Sequence, residues 1–472
     1  MVHEITVGRC RRNLGTEEKV RPNHTIGTCE LYTGDALTVL RELPDASVHC
    51  SVTSPPYYAL RDYKVKGQIG LEKTPQQYVE RLVVVFRELR RVLRDDGALW
   101  VNIADSYCTV PHGKIGKNTK NKKSKGQGSD QPNRKPLPGI KHNELCGIPW
   151  MFAEAMRRDG WLLRSEMQWV KLSAMPESVA GWRWERCRIK VKSQPKAKVT
   201  KASKCSDLPY SRDYSGGIIN AEKAQYEDCP GCKKCLTNDG LVLRKGAWRP
   251  TRATESIFLF VKSERYYCDG EAVKQHARDS TKMRDRYTRI IDDPDEQYAV
   301  AHDHETKTDT ANLRNWVLFK GEPLRDAHYA AYPSGLPRLA IKAGTSQKGV
   351  CPHCGAPWAR VVERGEYTNA DKPTVRKGSG YISGPQNGKA FHCVGGGVWP
   401  TATLGWRPTC VCPEHVPVPA TVLDPFNGSG TTLCVCQKSG LNGIGIDLSE
   451  EFTKIAARRV RKAMAKRGFG LA

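Results

Sequence analysis

Near its C-terminus the chain carries Asp424-Pro425-Phe426-Asn427-Gly428-Ser429-Gly430-Thr431-Thr432, directly after the apolar pair Val422-Leu423. A short buried strand, a glycine loop and a helix start, in that order, belong to an α/β layer fold with a ligand seated on the loop. Glycine lacks a Cβ and accepts positive φ, so backbone can come close to a bound molecule. The N–H groups opening the next helix are free to donate. Such donors also serve phosphate in dinucleotide folds, so the loop indicates a nucleoside-type ligand without naming it. Ile444-Gly445-Ile446 reads as the following strand and ends at Asp447. A carboxylate about 20 residues beyond the glycines can accept hydrogen bonds from both hydroxyls of a ribose; its other reading is a charge favoured at a helix N-terminus.

The same strand-helix alternation opens the chain. Cys29-Glu30-Leu31-Tyr32 is a short strand, Gly34-Asp35 a turn, Ala36 to Leu43 a helix and Val48 to Thr53 a buried strand. Thr74-Pro75-Gln76-Gln77 starts a helix, with Thr as N-cap and Pro at the first position. Tyr78, Leu82, Val85, Phe86, Leu89, Val92 and Leu93 share one helical face, and Asp95-Asp96-Gly97 is expected to stop the helix before a strand at Ala98 to Ile103. Ile257 to Val261 is a further buried strand. A last helix near Ser449 is expected to bury Phe452, Ile455, Ala456 and Val460. Strands alternating with helices predict a parallel sheet covered on both faces. The pattern lapses over Pro111 to Pro138, about 183–250 and about 349–413, and 272–312 is polar, read as surface helix and loop. No internal repeat is evident.

Thr53-Ser54-Pro55-Pro56-Tyr57 follows the strand at Val48 to Thr53. In isolation Ser-Pro-Pro-Tyr is a proline-rich turn. Placed after a buried strand, in a chain that also holds the glycine loop, it is a candidate hook for an exocyclic amino group. The two motifs together resemble the amino-methylating DNA methyltransferases, which use S-adenosylmethionine to methylate N4 of cytosine or N6 of adenine. The order, hook first and cofactor loop last, resembles the permuted β-class. Leu60-Arg61-Asp62-Tyr63, Gly70-Leu71-Glu72-Lys73-Thr74-Pro75, Met175-Pro176-Glu177-Ser178 and Ala327-His328-Tyr329-Ala330 are also similar to stretches of that class, and the resemblance spans roughly 29–110, 145–182, 251–270, 312–345 and 420–465.

The resemblance implies a Rossmann-like, S-adenosylmethionine-dependent methyltransferase fold of class α/β with circularly permuted motif order; it does not reach the insertions, which the grouping of the cysteines marks as zinc-knuckle-type. It implies Asp447 as the ribose-binding acid, Asp424 and Phe426 along the methionine end and the adenine face, and Asp35 on the adenine amino group, although Gly-Asp is also a common turn. Asn427, Gly428, Ser429, Gly430, Thr431 and Thr432 complete the cofactor loop. An exocyclic amino nitrogen is a poor nucleophile because its lone pair is delocalised into the ring. The Ser54 hydroxyl and the Pro55 carbonyl, held rigid by Pro55-Pro56, fit as acceptors that draw it towards sp³ geometry, with Tyr57 stacking on the base. The base has to be flipped out of a duplex first, at a cost of a few kcal/mol. Adenine enzymes of the family usually carry Asp where this chain has Ser54, so Ser54 favours N4 of cytosine, with N6 of adenine as the alternative. RNA or a protein glutamine amide is a rival substrate. A non-enzymatic, zinc-containing DNA-binding protein is a rival of another class.

The formal net charge of +25 points to a polyanionic partner, here double-stranded DNA; a ribosome or membrane-surface binder is the other reading of charge alone. No apolar run reaches the 18 residues of a spanning helix and no export signal opens the chain, so a soluble protein of the cytoplasm, bacterial or phage-borne, is expected. In that setting the 18 cysteines read as metal ligands where grouped and as buried thiols where scattered. Cys351 and Cys354 pair with Cys410 and Cys412 as a four-thiolate zinc set, with His392, Cys393 and His415 to spare. Cys229, Cys232 and Cys235 form a second set, its fourth ligand open among Cys187, Cys205 and Cys268. Both are read as structural zinc that stiffens DNA-contacting loops, with Lys190, Lys192, Lys196, Lys198 and Lys201 nearby. The expected organisation is one methyltransferase domain in pieces at 25–110, 141–182, 251–348 and 414–472, interrupted by a mobile basic loop at 111–140, a candidate target-recognition insertion at 183–250 and a zinc-binding insertion at 349–413.

Overall fold

A computed structural model of the chain describes residues 21–108, 139–141, 143–171, 181–192, 225–275, 312–319, 322, 332–364 and 401–467. Outside them lie the loop expected at 111–138, most of the polar stretch at 272–312, Met175 to Ser178, Ala327 to Ala330, Lys196, Lys198, Lys201, Cys205, His392 and Cys393. The chain divides into two compact units, and the described residues between 173 and 253 make up the smaller one.

The first strands are β1 (His24–Ile26), β2 (Cys29–Thr33), β3 (Val48–Thr53), β4 (Leu93–Ile103) and β5 (Leu162–Lys171). The smaller unit contributes β6 (Trp182–Arg186), β7 (Arg188–Lys192), β8 (Gln225–Asp228) and β9 (Leu241–Lys245). Then come β10 (Thr254–Val261), β11 (Trp316–Phe319), β12 (Trp358–Arg364), β13 (Thr401–Pro408), β14 (Thr421–Asp424) and β15 (Asn442–Asp447). Among the described residues of the larger unit the helices are α1 (Ala36–Glu42), α2 (Pro75–Val92), α3 (Ile148–Arg158), α4 (Gly335–Gly344), α5 (Thr431–Ser439) and α6 (Glu450–Arg467).

Nine strands of the larger unit form one sheet in the order β1-β2-β15-β14-β3-β4-β10-β5-β11. Residues of α1, α2 and α3 pack in one core with Leu99, Val101, Phe258 and Phe260. Residues of α4, α5 and α6 pack in a second core with Cys50, Trp100, Ile257 and Leu259. Successive strand residues serve opposite faces, so a sheet covered on both needs apolar side chains at every position, as in Ile257 to Val261.

The sheet is mixed, where an all-parallel one was expected. Its centre is parallel, but β10 runs antiparallel to both β4 and β5. A crossover helix is needed only between parallel neighbours, and the long connection from β5 to β10 lets the chain return in the opposite sense.

Thr74 caps α2 as expected, its hydroxyl accepting from the Gln77 N–H at 3.2 Å. The helix ends at Val92, earlier than expected: Leu93 is its C-cap and also the first residue of β4. Asp95-Asp96-Gly97 therefore lies within the strand. The pairing jumps from Val48 with Leu93 to Cys50 with Ala98, so these residues form an irregularity that β4 carries as extra length. Phe452 is only half-buried, because the packed stripe of α6 runs through Thr453, Ala456, Ala457 and Val460; its ring meets Tyr63 edge-on at 5.7 Å. Among the described residues no helix is long and apolar enough to cross a membrane.

Candidate active site

Strand order reverses between β14 and β3. From β3 the chain passes through α2 to β4 on one side, and from β14 through α5 to β15 on the other. The carboxyl ends of strands at such a switch point leave a crevice, the usual ligand site of an open α/β sheet. A cavity of about 210 Å³ lies there. Of the residues singled out in sequence, Ser54, Pro55, Pro56 and Tyr57 line it together with Asp35, Phe426, Asn427, Gly428, Ser429, Thr431 and Asp447. Asp424, Gly430 and Thr432 do not line it.

The hook is fixed from behind. The Tyr78 hydroxyl donates to the Pro56 carbonyl at 2.8 Å, and the Ala59 N–H to the Gly70 carbonyl at 2.8 Å. Gly70 has φ +105°, and a Cβ there would fall 3.1 Å from the Tyr57 carbonyl oxygen. The Tyr57 hydroxyl donates to a Glu255 carboxylate oxygen and accepts from Asn102 Nδ2 at 2.9 Å. Asn102 Nδ2 also reaches Glu255 at 2.7 Å, and Lys171 Nζ lies 2.5 Å from the other carboxylate oxygen. Burial, then the charge of Glu255, push the Tyr57 phenol well above its ordinary pKa, so it stays protonated and donates. Ser54 Oγ donates towards the Tyr57 oxygen over 3.4 Å, which leaves its lone pairs to the cavity.

On the cofactor wall, Asp424 is fully buried at the end of β14. One oxygen accepts from the Thr53 hydroxyl at 2.7 Å and the Phe426 N–H at 3.1 Å; the other accepts from Tyr332 at 2.9 Å and Thr432 at 2.7 Å. Burial raises its pKa and these donors pull against it. Asp424 thus ties hook strand, loop and helix together from behind the wall. Gly430 is required by packing: it has φ +79°, and a Cβ would sit 2.8 Å from the Ala456 Cβ of α6. Gly428, at φ +50°, faces open space. The carboxylate of Asp447 accepts from Gly428 N–H and from Ser449 N–H, each at 2.8 Å. Burial pushes its pKa up to about 6 against those two bonds. Asp35 caps α1 through the Thr38 N–H at 3.1 Å while bordering the cavity. Arg459 Nη1 holds Ser429 Oγ at 2.6 Å, fastening the loop to α6.

Glu255, Asn102, Lys171 and Tyr332 were not foreseen from sequence. Each lies far along the chain from its partner and belongs to no local motif. A carboxylate opening the otherwise apolar run of β10 was the one available hint for Glu255.

Both cysteine sets close to four. Cys187, Cys229, Cys232 and Cys235 form one group, and Cys351, Cys354, Cys410 and Cys412 the other; within each, the thiol sulfurs lie within 4.8 Å of one another. The structure selects Cys187 as fourth member of the first, with sulfurs 3.8 Å from Cys232 and, for Cys232 to Cys235, 3.6 Å. Four thiolates at about 2.3 Å from a tetrahedral zinc stand about 3.8 Å apart, so the sets fit that ion. The Lys234 N–H holds the Cys232 thiol down to about 7. At Cys351 burial opposes ionisation, but the backbone N–H groups of Cys354 and His353 outweigh it and hold the thiol at about 6.

A doubly wound sheet with a polar-Pro-Pro-aromatic hook and a glycine loop around one switch-point cavity is the architecture of an S-adenosylmethionine-dependent amino-methyltransferase. The family model described as DNA methylase, of the N6/N4 type, matches residues 48–352 and 415–458, and the chain belongs to that family. The chain is 30% identical over 432 residues to the Type II methyltransferase M.Cfr9I of Citrobacter freundii, covering 91% of this chain and 87% of the relative. It is 29% identical to M.XycI of Xanthomonas campestris pv. cyanopsidis, covering 95% and 93%, and 27% identical to M.SmaI of Serratia marcescens, covering 94% of each. The cavity suits the family's methyl donor: a half-buried carboxylate at Asp447, an open glycine backbone at Gly428 and aromatic rings at Phe426 and Phe452 line it.

Proposed function

We propose that this protein methylates the exocyclic N4 of cytosine at a specific site in duplex DNA, on a base flipped into the cavity, with N6 of adenine as the alternative. The observation that carries this reading is that Ser54 and Tyr57 share one cavity with the cofactor-loop residues Phe426, Gly428 and Asp447. S-adenosylmethionine, when bound, supplies a methyl group on an electrophilic sulfonium. The protein's own part is to position and activate the nitrogen. Ser54 Oγ, its proton directed at Tyr57, accepts one amino N–H, and the Pro55 carbonyl accepts the other. Once the nitrogen has gained the methyl carbon it must give up one proton, and the line Ser54, Tyr57, Glu255 leads from the cavity to a buried carboxylate. Asp447 and Asp35, which line the cavity, are assigned to the ribose hydroxyls and the adenine amino group, while Asp424, Gly430 and Thr432 hold the wall in shape. Ser54 in place of an acid at the first hook position supports cytosine.

Both four-cysteine groups are assigned structural zinc. The smaller unit is proposed as the recognition region. In the described stretches 181–192 and 225–253 eleven Lys and Arg face four Asp and Glu, a balance that favours phosphate. Trp182 and Trp184 alternate onto the same face of β6 and are 67% and 53% exposed, with Lys245 Nζ 4.7 Å over the Trp182 ring. Exposed indole among cations is suited to stacking on bases.

The test is incubation with unmethylated genomic DNA and methyl-labelled S-adenosylmethionine, read by nucleoside mass spectrometry. N4-methylcytosine is expected. N6-methyladenine would reverse the base while keeping the mechanism, and no methylated nucleoside with cofactor bound would move the substrate to RNA or protein. Ser54→Ala should lower transfer by about 10²–10³-fold with cofactor affinity unchanged.

A further inference from the structure

We infer that the metal site of Cys351, Cys354, Cys410 and Cys412 is a clamp on the base of the two strands that carry the active site, and that His49 is the positioning residue that transmits it. The inference rests on the methyl-transfer reading above and on zinc as the ion, and it replaces the expectation that this cysteine group stiffens a DNA-contacting loop.

The four thiols gather two segments, one around Cys351 and one around Cys410. Each is tied to the lower end of the sheet. Val350 and Val418 exchange backbone hydrogen bonds of 2.8 and 2.9 Å, three residues before β14 begins. The Cys354 carbonyl accepts from Arg94 Nη1 of β4 at 2.8 Å. The Gly355 carbonyl lies 3.1 Å from Nε2 of His49, the second residue of β3. The other ring nitrogen of His49, Nδ1, is 3.0 Å from the Thr421 N–H, the first residue of β14. A backbone N–H can only donate, so Nδ1 is the acceptor, the proton sits on Nε2, and that nitrogen donates to Gly355. One imidazole thus joins β3, β14 and the cysteine knuckle in a single defined tautomer. Gly355 has φ +71°, in the left-handed region that favours glycine, and it is seated against the Arg94 guanidinium.

β3 and β14 pair through just two positions, Cys50 with Leu423's neighbour Val422 and Ser51 with Leu423. Their far ends are joined by the hydrogen bond from Thr53 to Asp424, next to the hook and the glycine loop. Two short strands pinned at both ends hold their relative height; released at the base, they slide. Five residues of strand separate His49 from Ser54, about 17 Å, so the clamp acts through the strands and touches neither base nor cofactor.

The experiment uses the full chain with its zinc. His49→Ala is compared with the parent for zinc release to a colorimetric chelator, for cofactor affinity by calorimetry and for kcat and KM on DNA. Zinc release should quicken and kcat should fall about 10–100-fold while KM for DNA moves less than about twofold. His49→Asn, whose amide oxygen can still accept from Thr421, should recover part of kcat and serves if the alanine variant does not fold. Unchanged zinc release with unchanged kcat would overturn the clamp. So would a raised KM for DNA with intact kcat, which would place the knuckle on the substrate. If the parent transfers no methyl group to DNA, the functional reading fails, and the zinc-release comparison still decides the clamp.

Discussion

The hydroxyl of Thr53 donates a 2.7 Å hydrogen bond to the carboxylate of Asp424, 371 residues further along the chain. Both residues are fully buried. This bond joins the strand that delivers the hook to the strand that delivers the cofactor loop. A buried carboxylate stripped of one of its four donors loses part of what offsets its desolvation. Thr53→Val should therefore lower folding stability by about 1–3 kcal/mol, read as a shift of the urea midpoint, and Thr53→Ser should recover most of it.

Glu255 receives Tyr57, Asn102 and Lys171 at once. Glu255→Gln keeps the shape but removes the charge that orders these donors. Misplacement of the hook by this loss should reduce kcat by about 10²-fold. Cofactor affinity measured by calorimetry should be unchanged, because Glu255 does not line the cavity. A parallel fall in cofactor affinity would show general damage instead.

On the proposed reading of Asp447 as the ribose-binding acid, its pKa, held up at about 6 by burial, makes cofactor binding depend on pH. Its folded value lies above the unfolded one, so without ligand its contribution to stability is full below the unfolded pKa near 4 and is lost as pH rises through about 6. Ligand hydroxyls favour the ionised form. Cofactor affinity should therefore rise between about pH 5 and 7, with proton release in calorimetry near pH 6. Asp447→Asn should flatten that profile.

Trp182 and Trp184 present exposed indoles beside Lys245. Truncating either to Ala should weaken DNA binding by about 1–3 kcal/mol in fluorescence anisotropy. Zinc content and kcat at saturating DNA should hold. Unaltered DNA affinity in both variants would remove this face from the substrate path.

Much of the site was legible because its parts are local. A glycine loop between strand and helix, a Pro-Pro hook after a buried strand and a capped helix at Thr74 are each decided by residues a few positions apart, where φ restriction and capping act. The knuckle Cys351-Pro352-His353-Cys354 was legible for the same reason. What failed or stayed open depended on remote neighbours. Cys187 could not be told from Cys205 or Cys268 as a fourth ligand until the backbone brought it within 3.8 Å of Cys232. The helix was carried too far, to Leu93, because apolar periodicity does not show where β4 begins.

By itself, then, the sequence determined an α/β chain with the hook before the loop, since local backbone chemistry and the order of motifs survive without any knowledge of packing, and the resemblance those two motifs carry implied the methyltransferase. Only the tertiary structure decided what each motif leans on. It turned Asp424 from a wall residue into the buried junction of hook and loop, and gave Gly430 to the close approach of α6. It also set β10 antiparallel and placed Glu255 and His49 at opposite ends of the active-site strands. These outcomes depend on which surfaces meet across hundreds of residues, and burial and hydrogen-bond satisfaction settle that only when the whole sheet is assembled.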